Sequence, residues 1–564
     1  MPRLFRVVPL IAALLGSPVA AQDGDAGAFL AARVAASQSD YRAAAAWFMR
    51  AMLSDTANPE LLEGAVIAYI NLGEIDLAAD VAKRLLDLGG RNQTATLALI
   101  AKAGKDGDFA TLMADASRGR TAGALLDGLV QAWAQLGQGQ MSEAQAGFDA
   151  MAKTKGLEPF GLYHKALALA SVGDFEGADE IMSGRVAGSF STTRRGIVAH
   201  VQVLSQLESN TEALAVLDRN FPQGQDLEMD DIRRRLVAGE PLPFTMARGA
   251  TDGLAEVFFS LAGALNGEAN DGYTLMYARI AAYLRPDHID AILLTASLLE
   301  SQGQFDLATE AYALIPAENP ASYVAEIGRA DATYAAGREE ASIEILQALA
   351  RSKGDVLAVQ VALGDGLRRE ERFDEAARAY DAAIALVPEP VGRHWSLFYS
   401  RGICHERGGD FPAAEVDFRR ALALNPDQPQ VLNYLGYSLV DRGEKLPEAL
   451  EMIERAVAAQ PDQGYILDSL AWALFRLGRH DEALKPMEQA SLLEPVDPVV
   501  TDHLGDVYWM VGRTLEAQFQ WRRALSFDPA EKDAQRIRRK LEVGLDVVMA
   551  EEAAAAAPAV KAQP

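Results

Sequence analysis

The chain has 564 residues, of which 49% are hydrophobic and 23% charged, and a formal net charge of -26. That length exceeds what one compact core holds, so the chain is either several domains or one extended stack of small units. The negative excess excludes a nucleic-acid partner, because nothing here would displace counterions from a phosphate backbone, and excludes a polybasic membrane anchor. Val, Ile and Thr form no alternating runs, and Gly or Pro rarely interrupts the apolar helical stretches, so the expectation is all-α.

Residues 1–21 read as a signal peptide. Arg3 and Arg6 supply the positive start, Val7 to Leu15 a short apolar run, and Val19-Ala20-Ala21 a small-residue cleavage pattern before Gln22. The run is too short for a permanent membrane span, and no later stretch is long and apolar enough for one. The signal resembles bacterial export signals, which implies a periplasmic location. No cysteine follows the cleavage pattern, so attachment of a lipid at a new N-terminal Cys is not expected. Cys404 is the only cysteine and lies inside a predicted helix, where a small buried thiol is expected.

From residue 22 the chain repeats itself about every 34 residues. Units start near Asp25, Pro59, Arg91, Leu125, Pro159 and Arg194, and these form a degenerate N-terminal array over 22–227. Counted from each start, position 20 is alanine: Ala44, Ala78, Ala110, Ala144, Ala178 and Ala213. The phase then breaks over 228–254, with Glu228-Met229-Asp230-Asp231, Pro241-Leu242-Pro243 and Gly249, read as a linker or distorted repeat. The alternative is a hinge, or a loop that enters the groove. Asp226, Glu228, Asp230 and Asp231 lack the glycine turn of a calcium loop and read as a solvated acidic run.

A second array covers 255–548. Starts near Ala255, Ile289, Ser322 and Leu357 give Ala308, Ala341 and Ala376 at position 20. The clearest units start at Trp395, Pro429, Gly464 and Pro498. Position 4 is large and apolar (Phe398, Leu432, Leu467). Positions 7 and 8 pair a large with a small residue (Leu435-Gly436, Leu470-Ala471, Leu504-Gly505). Position 20 is Ala414, Ala483 or Ala517, position 24 is Phe418, Met487 or Trp521, and proline closes at 32. Near Lys445-Leu446 one extra residue enters before the pattern resumes. Positions 4, 7, 8 and 11 form one face of a first helix, and positions 20, 24 and 27 one face of a second. Small residues at 8 and 20 let the two approach closely, and glycine at position 15, as in Gly73, Gly409 and Gly443, can end the first helix in the left-handed conformation. After Pro529 a basic helix over about 531–548, with Lys532, Arg536, Arg538, Arg539 and Lys540, is expected to cap the stack. Residues 549–564 are Ala/Glu/Pro-rich and read as a disordered tail.

The pattern resembles the tetratricopeptide repeat (TPR) family. The resemblance implies an α-solenoid of helix-turn-helix repeats forming a right-handed superhelix, about fourteen units in all, whose first helices line a concave groove. Positions 2, 5, 9 and 12 of the first helices should point into that groove. In the last five repeats these include Arg368, Tyr399, Asn433, Tyr437, Tyr465, Asp468, Trp472, Phe475 and Asp502, read as a partner-binding surface. The alternative makes Trp472 and Phe475 packing residues between repeats. The stretches Asn433-Tyr434-Leu435-Gly436-Tyr437, Leu467-Asp468-Ser469-Leu470-Ala471-Trp472 and Asp502 to Trp509 also look like a group of bacterial envelope TPR proteins. Some of that group are adaptors that bring cell-wall hydrolases to a carboxyl-terminal processing protease.

Catalytic patterns fail one by one. His405-Glu406 lacks a second histidine four residues on, Gly436-Tyr437-Ser438 lacks the closing glycine of a nucleophile elbow, and no glycine-rich phosphate loop or paired-cysteine metal motif is found. The reading is a periplasmic scaffold or adaptor with protein partners, no enzyme activity, no cofactor and no metal. A structural part of an envelope export or assembly machine, for polysaccharide or outer-membrane protein, is the alternative.

Overall fold

The computed structural model describes residues 24–89, 91–185, 193–224 and 226–556. The expected signal peptide and residues 557–564 of the expected tail lie outside them. Among the described residues the fold is all-α, built from fourteen tandem helix pairs. The first helices of nine of these begin at Pro59, Arg194, Ile289, Ser322, Leu357, Trp395, Pro429, Gly464 and Pro498, where the repeat pattern places them.

The chemistry of the pattern explains the pairing. Position 8 lies against position 24: a methyl group added at Gly402, Gly436 or Gly505 would come within 2.7, 2.7 and 2.5 Å of Phe418, Ile453 and Trp521 respectively. The position-20 alanines Ala44, Ala78, Ala144, Ala178, Ala213, Ala308, Ala376, Ala414, Ala483 and Ala517 are fully buried. Two expected alanines are not. Ala110 is exposed because its first helix begins at Gln93, which moves Leu112 into the buried place. Ala341 is exposed, and Ser342 fills the position beside it. First helices end as expected, with Gly73 and Gly443 at φ 89° and 69°. The extra residue of the Pro429 unit is absorbed at Lys445, which takes φ 48° just before the second helix.

The chain divides into two compact units, 1–349 and 350–564, and not at the expected break over 228–254. The reason lies in what that segment does. It contains a helix, Leu227–Val237, followed by an extended strap. The strap is bonded along the helix Arg194–Gln206: the Leu242 N–H donates to Ser205 Oγ at 2.9 Å, Gln206 Nε2 to the Leu242 carbonyl at 2.6 Å, and Thr245 N–H to Gln202 Oε1 at 2.9 Å. The chain then re-enters the N-terminal array. The helix Ala250–Leu265 packs on the first helices Gln93–Asp106, Ala124–Gly137 and Glu158–Ser171, and the helix Asp271–Leu284 packs on Pro59–Leu72 and Gln93–Asp106. Polar ties fix the seat: Thr251 Oγ1 donates to the Gly104 carbonyl at 2.9 Å, Arg279 Nε to the Asn71 carbonyl at 3.0 Å, and Tyr283 to Asp76 at 2.8 Å. The first-helix face of repeats two to five is thus covered by the chain's own seventh pair.

The acidic run before the strap is not merely solvated. Asp226 caps its helix by accepting from the backbone of Glu228 and Met229, Arg194 Nη2 donates to Asp226 at 3.0 Å and to Glu228 at 2.6 Å, and Asp230 and Asp231 pair with Arg233 and Arg234.

The second unit stacks five pairs, from Leu357–Arg369 to Thr514–Leu525. The expected single capping helix is two helices, Glu531–Val543 and Leu545–Ala556, so described helix continues into the part expected to be disordered. The break is at Gly544, whose φ of 87° and close approach to the Trp509 ring leave no room for a Cβ. Trp509 Nε1 donates to Asp546 at 3.1 Å across the break.

Candidate functional site

In the second unit the first helices carry the candidate residues, and the structure sorts them in two. Arg368, Tyr399, Tyr437 and Tyr465 are partly accessible, Tyr465 most so at 43%. Asn433, Asp468, Trp472, Phe475 and Asp502 are buried. Of the nine residues expected on an open surface, four are accessible and five are not.

Trp472 is 6% exposed and lies between two rings, stacked on His503 at 4.0 Å and on Phe475 at 4.8 Å between centroids. His503 comes from the next first helix, Pro498–Met510, and its Nδ1 lies 2.9 Å from Asp468 Oδ1. Position 9 of one repeat thus packs on position 6 of the next. Burial alone would lower the His503 pKa, but the Asp468 carboxylate outweighs it and raises it above the ordinary value.

Asp502 is buried by the cap. Lys540 Nζ, fully enclosed, bonds Asp502 at 2.7 and 2.8 Å and Asp506 at 2.6 and 2.7 Å, while Arg536 Nη1 reaches Asp506 at 3.3 Å. Trp521 Nε1 adds a 2.9 Å bond to Asp506. Burial and the neighbouring Asp506 push Asp502 up to about 6, against the pull of Lys540. The basic residues expected to form a polar cap partly face inward and pair the last repeat's carboxylates. Nothing in the 34-residue period marks a lysine 38 residues downstream of its partner.

What stays open is a band toward the start of the unit. Tyr399 sits between the rings of Trp395, Phe418 and Tyr434, at 5.8 to 6.0 Å, and is partly accessible. Burial pushes its phenol up to about 12, reinforced by Tyr465 and opposed by Arg368. Arg368 donates to Tyr380 at 3.3 Å and Asp365 at 3.3 Å, and Tyr434 donates to Glu406 at 3.1 Å. Asp365, Ile403 and Glu406, at positions 9, 9 and 12, share the band's accessibility, and the same positional pattern that points to Arg368 and Tyr437 also points to them. Asn433 is buried, its side-chain oxygen without a hydrogen-bond partner among the described residues.

The thiol of Cys404 is buried, and that burial pushes it up to about 11. Among the described residues no group of three or more His, Cys, Asp or Glu is placed to hold a metal ion, and no helix is long and apolar enough to cross a membrane.

Comparison with known proteins agrees with the repeat. The family model described as tetratricopeptide repeat matches residues 361–429 and 434–492. A TPR repeat-containing protein of Pseudomonas aeruginosa is 26% identical over 234 residues, which cover 41% of this chain and 33% of that protein. The chain thus spans about a third of that relative's length. Among solved structures, Cut9 with Hcn1 from the APC/C is 14% identical with a TM-score of 0.38, over 92% of this chain and 96% of that one. Yeast Tom70 is 13% identical with a TM-score of 0.34, over 95% and 98%. The described helix pairs have this period and are closed by small residues at positions 8 and 20, and residues 361–429 and 434–492 carry tetratricopeptide repeats.

Proposed function

We propose that the protein is a scaffold that holds protein partners on the first-helix face of its second unit and performs no catalysis of its own. Stacked helix repeats in general present extended binding surfaces. The observation that carries the reading is the accessible band of Arg368, Tyr399, Tyr437 and Tyr465 on four successive first helices. The tyrosines there are partly packed and partly accessible, which lets them bury area on a partner with little loss of rotamer freedom. In the first unit the corresponding face of repeats two to five is occupied by the helices of 250–284, which directs partners to the second unit.

The location we propose is the periplasm, supported by Arg3, Arg6 and the apolar run Val7 to Leu15. Within that compartment an adaptor role, between a carboxyl-terminal processing protease and cell-wall hydrolases, is the specific form of the reading supported by the sequence of the last three repeats.

The test is capture. A photo-crosslinking residue at Tyr465 in the full-length protein, activated in cells, should trap soluble envelope proteins, and Tyr399→Ala with Tyr437→Ala should reduce the yield several-fold at a temperature where circular dichroism shows the variant still folded. Trapping of integral membrane assembly proteins instead would favour the export-machine alternative. A mature N-terminus that retains Met1 in the cytoplasm would overturn the location.

A further inference from the structure

The geometry points to a second binding site, in the first unit, for a peptide segment that presents a bulky apolar side chain next to a lysine or arginine. It lies apart from the tyrosine band and does not depend on it.

Two cavities adjoin there. One, of about 430 Å³, lies among the helices Glu158–Ser171, Arg194–Gln206 and Ala250–Leu265, with Phe160, Phe259 and Gly263 in its walls. The other, of about 520 Å³, is lined by Asp226, Glu228 and Asp287. Both share Arg194, Arg195 and Asp290, so these three side chains form the wall where an apolar compartment meets a polar one. Volumes of this size are in the range of ligand pockets.

The wall is built from below. Glu256, fully buried in the helix Ala250–Leu265, takes both Nε (3.0 Å) and Nη2 of Arg195, and Tyr163 donates to it at 3.2 Å. His288 Nδ1 accepts the Ala291 N–H at 3.1 Å, so the proton is on Nε2, which lies 3.2 Å from Glu256. Burial opposes the charge on Glu256, but Arg195 and His288 outweigh it and hold its pKa well below the ordinary range. Arg195 Nη1 then extends to Asp290 at 2.6 Å. A guanidinium held by three hydrogen bonds to two carboxylates makes a rigid divider, as a preformed site requires.

Charge selects the ligand. Every arginine at the divider already has carboxylates: Arg194 holds Asp226 and Glu228, Arg195 holds Glu256 and Asp290. An anion would have to displace them. The carboxylates Asp226, Glu228, Asp287, Asp290 and Glu256 outnumber Arg194, Arg195 and Arg285, and the nearby Arg248–Asp252 pair cancels. A cation in the polar compartment therefore lowers the energy of the site, and a chain with net charge -26 would draw a basic partner toward it.

Gly263 marks the apolar compartment. It sits inside a helix, where glycine is unfavourable, yet a Cβ there would meet nothing within 4 Å. Packing does not require a glycine at that place: Gly263 is exposed, at the open side of the cavity it lines, so a larger side chain there has room at the mouth of the compartment.

The test uses the full-length protein and two acetylated, amidated decapeptides of Gly and Ser with a central Phe-Lys or Phe-Glu pair, titrated by calorimetry. The expected result is saturable binding of the Phe-Lys peptide at millimolar concentration or below, about tenfold tighter than Phe-Glu. Gly263→Phe should fill the compartment and abolish that binding, with a melting temperature equal to or above that of the parent. No saturable binding, equal binding of the two peptides, or binding that survives Gly263→Phe would each overturn the proposal. So would binding lost in Tyr399→Ala with Tyr437→Ala, because the peptide would then occupy the second unit.

Discussion

Trp472→Ala separates packing from recognition. The indole is 6% exposed, enclosed by His503 and Phe475. A buried indole removes on the order of 200 Å² from water, which at ~25 cal/mol per Å² is ~5 kcal/mol. Alanine recovers about 1 kcal/mol of that through its own burial and better helix propensity, while loss of the two stacked contacts costs about 1 kcal/mol more. The expected loss is therefore about 5 kcal/mol, the upper end of the range of aromatic-to-alanine changes in cores. Because repeats couple chiefly to neighbours, the loss should concentrate in residues 464–510. Urea unfolding followed by circular dichroism gives the total, and amide hydrogen exchange gives the place. Protection should fall in the helices Gly464–Arg476 and Pro498–Met510 and persist in the first unit. Tyr465→Ala, at an exposed site, should stay within about 0.5 kcal/mol of the parent. A loss under about 1 kcal/mol for Trp472→Ala, with protection unchanged, would refute the packing and return Trp472 to the binding surface.

Lys540→Met should cost about 3–5 kcal/mol, since Asp502 and Asp506 would then face each other with only Arg536 nearby, and adding Asp502→Asn and Asp506→Asn should restore most of it. The same end of the molecule should respond to pH. Asp502, pushed up to about 6 among Asp506, Lys540, Arg536 and His503, and His503, raised by Asp468, both bind protons more tightly folded than unfolded. Their stabilisation is present at low pH and lost as pH rises through the folded values, so the melting temperature of the second unit should be higher near pH 5.5 than near pH 8. A flat or opposite trend over that window would show that neither group titrates as its surroundings imply. Cys404, its thiol pushed up to about 11, should react with a disulfide reagent only as the protein unfolds, and rapid labelling of the native chain would contradict its burial.

The period, the helix starts and the small-residue contacts were legible because each is local: position 8 meets position 24 within one repeat, as Gly402 meets Phe418. Where the register slipped, at Ala110 and Ala341, a neighbour one or two residues on took the buried place, which a weak periodic signal does not resolve. The candidate surface was half legible. Periodicity assigns Trp472 and Tyr437 to one helix face but does not say what comes to lie on it. His503 covers Trp472 from the next repeat, and Lys540 covers Asp502 from the cap. The return of 250–284 onto the first helices of repeats two to five was visible only as a break in phase, because its partners lie far back in the sequence, as Thr251 on Gly104.

That return changes how the first half would answer a pulling force. A plain stack of repeats behaves as a soft spring, because stretching it only tilts each helix pair slightly against the next. Here Arg279 ties down the end of one first helix through Asn71, Tyr283 the start of the following helix through Asp76, and Thr251 a third through Gly104, while Tyr41 and Arg42 in the first pair reach across to Gln302 and Glu310. These ties join segments far apart along the chain, so extension must break them together before any single repeat can peel away. The first half should yield late and abruptly, as a clasped loop does, whereas the second, whose contacts run from each pair to the next, should pay out in steps of one repeat.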